Sequence, residues 1–382
     1  MMTGGDAAWV PVTAFGTVPY AGGGDEWEDQ LCHSDRKDDM RYRNLGATGT
    51  VVSTLCLGTM TFGAETDEAG SFAQLDRFVE AGGTFIDTAD VYSRGVSEEI
   101  VGRWLRARPD VRDRLVIATK GRFPMGPGAN DAGLSRVHLT RALDASLRRL
   151  GVEAVDLYQA HAWDPLTPLP ETLRFFDDAV SAGKIRYAGV SNFTGWQLQK
   201  AALLTQHLNL TPIVTVQPQY NLLAREIEFE VVPVCENEGI GILPWSPLGG
   251  GWLTGKYQRD NAPTGATRLG ENPERGVEAY AGRNAEERTW RVLDAVREIA
   301  GQHGVSMSAV ALAWLAARSA VTSVILGART TEQLDDNLTA ADLDLDAEQM
   351  RLLDEASAPP VGDYPYGSAG VRQRGRDLPS AS

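Results

Sequence analysis

Eight short apolar runs, each followed by a longer amphipathic stretch, recur along the chain and leave it few ways to fold. The runs begin near Leu55, Phe85, Val116, Val155, Ile185, Ile213, Ile240 and Val321. Between them, apolar residues recur at helical spacing over 67–81, 97–106, 136–150, 169–182, 194–206, 226–238, 286–303 with 306–317, and 331–340. Near-continuous apolar strands about 30 residues apart suit parallel βαβ units, because both strand faces are buried and each crossover returns over the sheet. Eight such units predict an α/β fold of the closed (β/α)8, or TIM, barrel type. An open doubly wound sheet is the competing arrangement. It usually has a glycine-rich turn after its first strand, and the turn Gly58-Thr59-Met60-Thr61-Phe62-Gly63 lacks the GxGxxG spacing.

The flanks read differently. Residues 1–39 carry Gly22-Gly23-Gly24, scattered prolines and the acidic run 25–29 without sustained periodicity, and are expected to form a poorly ordered extension. A small hairpin is expected over 40–53, ahead of a barrel spanning 40–357. An extra helix over 346–357 and a tail over 358–382 follow, with Asp363-Tyr364-Pro365-Tyr366 expected near the barrel mouth.

Composition excludes several roles. A net charge of −15 argues against a nucleic-acid partner, which needs clustered Lys and Arg to neutralise phosphates. Three cysteines, Cys32, Cys56 and Cys235, lie far apart, so neither a disulfide framework nor a zinc site is expected. No run approaches the roughly 18 apolar residues of a membrane span. A cytoplasmic location, with no membrane partner, is the expectation.

Barrel chemistry gathers where strands end and βα loops begin. The second strand ends at Asp87 with Tyr92 in the loop beyond. The third ends at Lys120, the fourth at His161 with Trp163 following, the fifth at Ser191-Asn192, the sixth at Gln217, the seventh at Trp245-Ser246 and the eighth at 327–329. A carboxylate, a phenol, an ammonium and an imidazole from neighbouring strands make a proton-transfer set. A tyrosine near its usual pKa of about 10 is a poor acid at neutral pH, and an adjacent lysine cation favours the phenolate. Asp87 would hold Lys120, and His161 would hydrogen-bond a substrate carbonyl.

These motifs resemble the aldo-keto reductase family over residues 40 to about 357. The resemblance is carried by Gly83-Thr84-Phe85-Ile86-Asp87-Thr88-Ala89 with Tyr92, Ala118-Thr119-Lys120, Asp156-Leu157-Tyr158-Gln159-Ala160-His161, Gly189-Val190-Ser191-Asn192-Phe193, Gln217-Pro218-Gln219-Tyr220-Asn221, Trp245-Ser246-Pro247-Leu248, and Gly327-Ala328-Arg329 with Gln333 and Asn337. It implies NAD(P)H-dependent reduction of a small aldehyde or ketone, with Asp87, Tyr92, Lys120 and His161 as the catalytic set. It implies cofactor contacts at Gly58, Thr59 and Met60, and at Ser191, Asn192, Gln217 and Trp245 around the nicotinamide. Ser246, Pro247, Leu248, Gly250, Leu253 and Lys256 would follow the pyrophosphate, and Gly327, Ala328, Arg329, Gln333 and Asn337 the adenosine end. Arg329 makes NADPH the expected cofactor, with NADH second. Many relatives carry an arginine where this chain has Gly250. Trp163, Trp252 and Tyr364 are the substrate-contact candidates, with Arg122 and Arg268 as anion contacts.

Two other readings attach to the same residues. Lys120 at a strand end suits a Schiff-base aldolase, although a neighbouring carboxylate keeps a lysine charged. Some proteins resembling this family are channel-associated subunits that bind NADPH and turn over slowly.

Overall fold

Alternation along three strands decides what the interior of this protein holds. The computed structural model describes residues 40–265, 268–274 and 278–374, with the Arg268 side chain excepted. The expected extension over 1–39 lies outside the described residues. An antiparallel hairpin, β1 (Tyr42–Asn44) with β2 (Val51–Ser53), pairs Tyr42 with Ser53. The chain continues through β3 (Leu55–Gly58), α1 (Glu68–Glu80), β4 (Phe85–Asp87), α2 (Val96–Ala107), β5 (Val116–Gly121), α3 (Arg136–Leu150) and β6 (Val155–Ala160). Next come α4 (Leu169–Ser181), β7 (Ile185–Ser191), α5 (Gly195–His207), β8 (Ile213–Gln217), α6 (Val231–Glu238) and β9 (Gly241–Ile242). The last part holds α7 (Arg268–Glu271), α8 (Tyr280–Ala285), α9 (Glu287–His303), α10 (Met307–Ala316), β10 (Val324–Leu326), α11 (Thr331–Leu338), α12 (Ala347–Ser357) and α13 (Ser368–Arg374).

The strands form one parallel 8-stranded sheet in the order β10-β3-β4-β5-β6-β7-β8-β9. Its two edges meet. Ile242 bridges to Val321, the Ile242 amide donates to the Ala320 carbonyl at 2.9 Å, and the Ile325 amide donates to Pro244 at 3.1 Å. This is the (β/α)8 barrel that the repeating pattern predicts. The seventh and eighth strands are shorter than their apolar runs, because residues 320–323 join β9 by isolated pairings rather than a full ladder.

Successive strand residues face opposite sides. Ile86, Ile117 and Tyr158 therefore pack outward under the helices, while Phe85, Ala118 and Leu157 point inward with Cys56, Val214, Leu243 and Ile325. Leu45 and Val52 of the hairpin join this inner cluster and are fully buried, so the hairpin closes the N-terminal end of the barrel. Two residues further along the same inward rows come Asp87, Lys120 and Gln159, at the opposite end.

Helix ends follow local chemistry. Asp67, Ser135 and Ser306 cap α1, α3 and α10 through side-chain oxygens, and Asp346 with Gln349 forms a capping box on α12, each cap contributing about 1 kcal/mol. The helix expected over 226–238 is divided, because Glu230 at φ −139° ends a 3-10 turn before α6 begins. Beyond α12 the tail returns to the start of α6, at the end of the barrel where the strands finish. The Tyr366 ring stacks on Phe229 at 4.9 Å and its hydroxyl donates to Glu230. Among the described residues no helix is long and apolar enough to cross a membrane.

Helices α2 and α3 meet at Gly102, where a Cβ would lie 2.2 Å from the Arg149 carbonyl oxygen and 2.8 Å from that of Leu150. Backbone atoms cannot yield as a side-chain tip does. Gly102→Ala is expected to lower unfolding stability by about 1–3 kcal/mol in urea titration, despite the ~1 kcal/mol helix-propensity gain of alanine.

Candidate active site

Three inward rows deliver a buried ion pair to the mouth of the barrel. Lys120 Nζ donates to Asp87 Oδ2 at 2.5 Å, to the Thr88 carbonyl at 2.8 Å and to the Tyr92 hydroxyl at 3.1 Å. Lys120 is 0% exposed and Asp87 2%. The other carboxylate oxygen of Asp87 accepts from Gln217 Nε2 at 2.9 Å and Gln159 Nε2 at 3.2 Å. A carboxylate desolvated this deeply needs such donors, and the three amine and amide donors meet that need. Tyr92 stands edge-on to the His161 ring at 5.8 Å, and Phe123 packs edge-on with the same ring at 4.7 Å. The structure thus brings all four residues of the expected proton-transfer set together.

Their electrostatics differ by residue. Burial opposes the charge on Lys120, but Asp87 and Tyr92 outweigh it and push its pKa up to about 12. Burial raises the Tyr92 phenol above its ordinary value, with the Lys120 ammonium pulling against that rise. The lysine therefore offsets desolvation of the phenol rather than making it a strong acid in the free protein, and Tyr92 holds its proton at neutral pH. His161 is held well below the usual imidazole range by burial and by Lys120 and Arg122, so it is neutral. Its Nδ1 is buried without a hydrogen-bond partner, although its amide donates to the Gly121 carbonyl.

Residues expected around a dinucleotide line the rim from β7 to β10. Ser191 donates to the Gln217 carbonyl at 2.8 Å, and Asn192, at φ +55°, donates to the His161 carbonyl at 3.0 Å while accepting from Trp245 Nε1 at 3.0 Å. Gln217 gives its amide N–H groups to Asp87 and Gln159, so its first duty is to the ion pair. From Ser246 the chain runs over buried Pro247 and half-buried Leu248 into Gly249, Gly250 and Gly251 at φ +57°, +64° and +92°. Only glycine adopts three such conformations in succession without strain. Leu253 is fully buried, and Lys256 lies over the glycines, where a Cβ on Gly251 would sit 2.5 Å from its Nζ. Beneath them, the Glu278 carboxylate accepts from Ser246 Oγ at 2.6 Å and Gln219 Nε2 at 3.0 Å.

At the far side of the rim, Gly327 is exposed and Ala328 buried, and Asn337 Nδ2 donates to the Gly327 carbonyl at 3.3 Å. Gln333 Oε1 accepts from the Arg329 amide at 2.9 Å. After β3, Gly58 leaves no room for a side chain, since a Cβ would meet Ile325 at 2.7 Å, and Met60 is exposed. The Thr59 hydroxyl is buried against Ser97 at 2.8 Å, its amide donates to the Asp87 carbonyl at 3.0 Å and its own carbonyl accepts from Ser97 Oγ at 2.8 Å, so the residue is fully enclosed. A neutral imidazole with an orphaned ring nitrogen, a bare glycine run and a basic residue beyond it fit a reduced nicotinamide dinucleotide.

The substrate-contact candidates separate. Trp163 packs edge-on with Phe193 at 5.2 Å and with Trp196 at 5.4 Å; Trp196 is 56% exposed and had no motif to draw notice. Tyr364 is exposed in the tail. Trp252 is a correction: it is fully enclosed, stacked on Tyr280 at 5.5 Å and edge-on to Tyr257 and Trp290, and its indole N–H donates to the Glu278 carbonyl. A tryptophan in a glycine-rich loop has nothing in its sequence setting to say which way it turns. Arg122 donates to the Trp163 carbonyl at 3.2 Å, and Gln159, missed by sequence reasoning, is a direct support of Asp87.

Residues 54–358 match the aldo/keto reductase family. The chain belongs to that family. It is similar to the uncharacterized oxidoreductase YrpG of Bacillus subtilis, with 37% identity over 85% of this chain and 98% of that protein. It is 38% identical to a probable voltage-gated potassium channel subunit beta of Arabidopsis thaliana, over 80% and 92% of the two chains. It is 32% identical to the versiconal hemiacetal acetate reductase of Aspergillus parasiticus, over 84% and 98%. This aldo/keto reductase is an oxidoreductase, and its function is NAD(P)H-dependent carbonyl reduction.

Two residues before Tyr92, Asp90 is fully buried with neither carboxylate oxygen hydrogen-bonded, beside a cavity of about 200 Å³ lined also by His138 and Arg149. Burial, then the Glu98 carboxylate, push its pKa to about 7, while the Arg149 guanidinium favours the charged form. A carboxyl raised in the folded state contributes stability that is complete below pH 4 and lost as pH rises through 7. Asp90→Asn removes that loss. Its stability relative to wild type, from urea titrations, is expected to grow by about 2–3 kcal/mol between pH 5 and 8. A difference independent of pH would refute this assignment.

Proposed function

We propose that Tyr92 is the proton donor in reduction of an aldehyde or ketone to an alcohol, with NADPH as the preferred reductant and NADH second. The observation that supports this most directly is the 3.1 Å contact between Lys120 Nζ and the Tyr92 hydroxyl in a set held by Asp87. When bound, the reduced nicotinamide supplies the hydride to the carbonyl carbon. As the carbonyl π bond breaks, Tyr92 Oη gives its proton to the oxygen, and Lys120 stabilises the phenolate left behind. Asp87 fixes Lys120 rather than exchanging protons itself. Neutral His161 donates a hydrogen bond to the carbonyl oxygen. Ser191, Asn192 and Trp245 position the nicotinamide; the glycine run with Ser246 and Lys256 takes the pyrophosphate; Arg329, Gln333 and Asn337 surround the adenosine, Arg329 being the cation for a 2′-phosphate.

A Schiff base at Lys120 fits poorly. Its nitrogen must lose its charge to attack a carbonyl, and Asp87 with Tyr92 holds the lysine cationic, at about 12. Trp163, half-buried, and Trp196, exposed, supply an aromatic wall suited to planar or apolar carbonyl substrates.

Tyr92→Phe is expected to lower kcat for NADPH oxidation with a reactive aldehyde by at least about 100-fold, while Kd for NADPH from fluorescence quenching stays within about twofold. Full turnover in the variant would sink the assignment. Tight dinucleotide binding with negligible turnover of wild type across an aldehyde and ketone panel would point instead to a regulatory subunit.

A further inference from the structure

Arg329 is already engaged. Its guanidinium pairs with both oxygens of Glu271, Nη1 to Oε1 at 3.4 Å and Nη2 to Oε2 at 3.2 Å, and Nη2 also lies 3.9 Å from Glu65 Oε1. Its backbone is held as well, the amide on Gln333 and the carbonyl by Thr66 Oγ1 at 3.2 Å, so its reach is limited to its own side-chain torsions. Glu332, in the first turn of α11, adds a further negative charge to this part of the rim. Locally, one cation faces two contacting carboxylates.

That balance bears on which dinucleotide fits. A ribose 2′-hydroxyl is a donor that a carboxylate accepts, whereas a 2′-phosphate is a dianion that needs an arginine to itself. Like charges at contact distance oppose each other most where solvent is partly excluded, and the Arg329 side chain is only 24% exposed.

We infer that Glu271 is a selectivity residue that holds down the preference of this enzyme for NADPH over NADH, by occupying the arginine that a 2′-phosphate requires. The inference rests on the proposed placement of the adenosine end at Arg329. Glu271 is chosen over Glu65 because it takes both terminal guanidinium nitrogens, and at 48% exposure it can be neutralised without disturbing the core. With the carboxylate in place, binding of a 2′-phosphate carries the loss of an existing ion pair, and a diol does not.

The test compares 2′,5′-ADP with 5′-AMP, which differ only in the 2′-phosphate, by tryptophan fluorescence or calorimetry on the full chain. In wild type the two should bind within about tenfold of each other. Glu271→Gln should tighten 2′,5′-ADP by about 5–20-fold at low salt, leave 5′-AMP within about threefold, and raise the ratio of kcat/KM for NADPH to that for NADH to match. Arg329→Ala in the Glu271→Gln background should erase the gain. Equal shifts for both probes, or none, would overturn the inference while leaving the adenosine site intact. If wild type binds NADPH and Arg329→Ala alone changes neither probe, the placement of the adenosine end is wrong and the inference falls with it.

Discussion

The buried contact between Lys120 and Asp87 sets the terms for everything around it. Removing two charges from water is expensive, and losing one partner of a buried pair typically costs about 3–5 kcal/mol because the other is stranded. The barrel answers by surrounding Asp87 with Gln159 and Gln217 and by giving Lys120 the Thr88 carbonyl and the Tyr92 hydroxyl. The same contacts that make the pair tolerable in the core therefore aim its ammonium at the phenol. Stability and chemistry use one set of hydrogen bonds, and Gln217 belongs to both.

Strand alternation made much of this legible in advance. Phe85, Ala118 and Leu157 are plain core residues, and each fixes the direction of the polar residue two places on, so Asp87 and Lys120 had to converge once the barrel was inferred; Gln159 obeys the same rule, but nothing in its motif marked it as a partner of Asp87. Loops offer no such period. Thr59 looks like a rim residue in sequence yet turns its hydroxyl into the protein, and Trp252 is swallowed by a cluster with Tyr257, Tyr280 and Trp290 that lie 5 to 38 residues away along the chain. Long-range ion pairs were equally invisible: nothing in the spacing of Glu65, Glu271 and Arg329 says that they meet.

Acidic side chains occupy the polar groups of the rim at two points. Glu278 accepts from Ser246 beneath the glycine run, and Glu271 pairs with Arg329 at the far side. In a chain with net charge −15, anions are never distant, and groups that bind phosphate in such a chain have carboxylates as ready partners. The groups are thereby kept ordered and desolvated in part before any ligand arrives, and a ligand's own charge must be weighed against the one it replaces.

The hairpin gains meaning from this. Leu45 and Val52 seal the end of the barrel opposite the ion pair. The packed interior above that seal leaves the mouth as the way in, so whatever settles deepest there comes first and goes last.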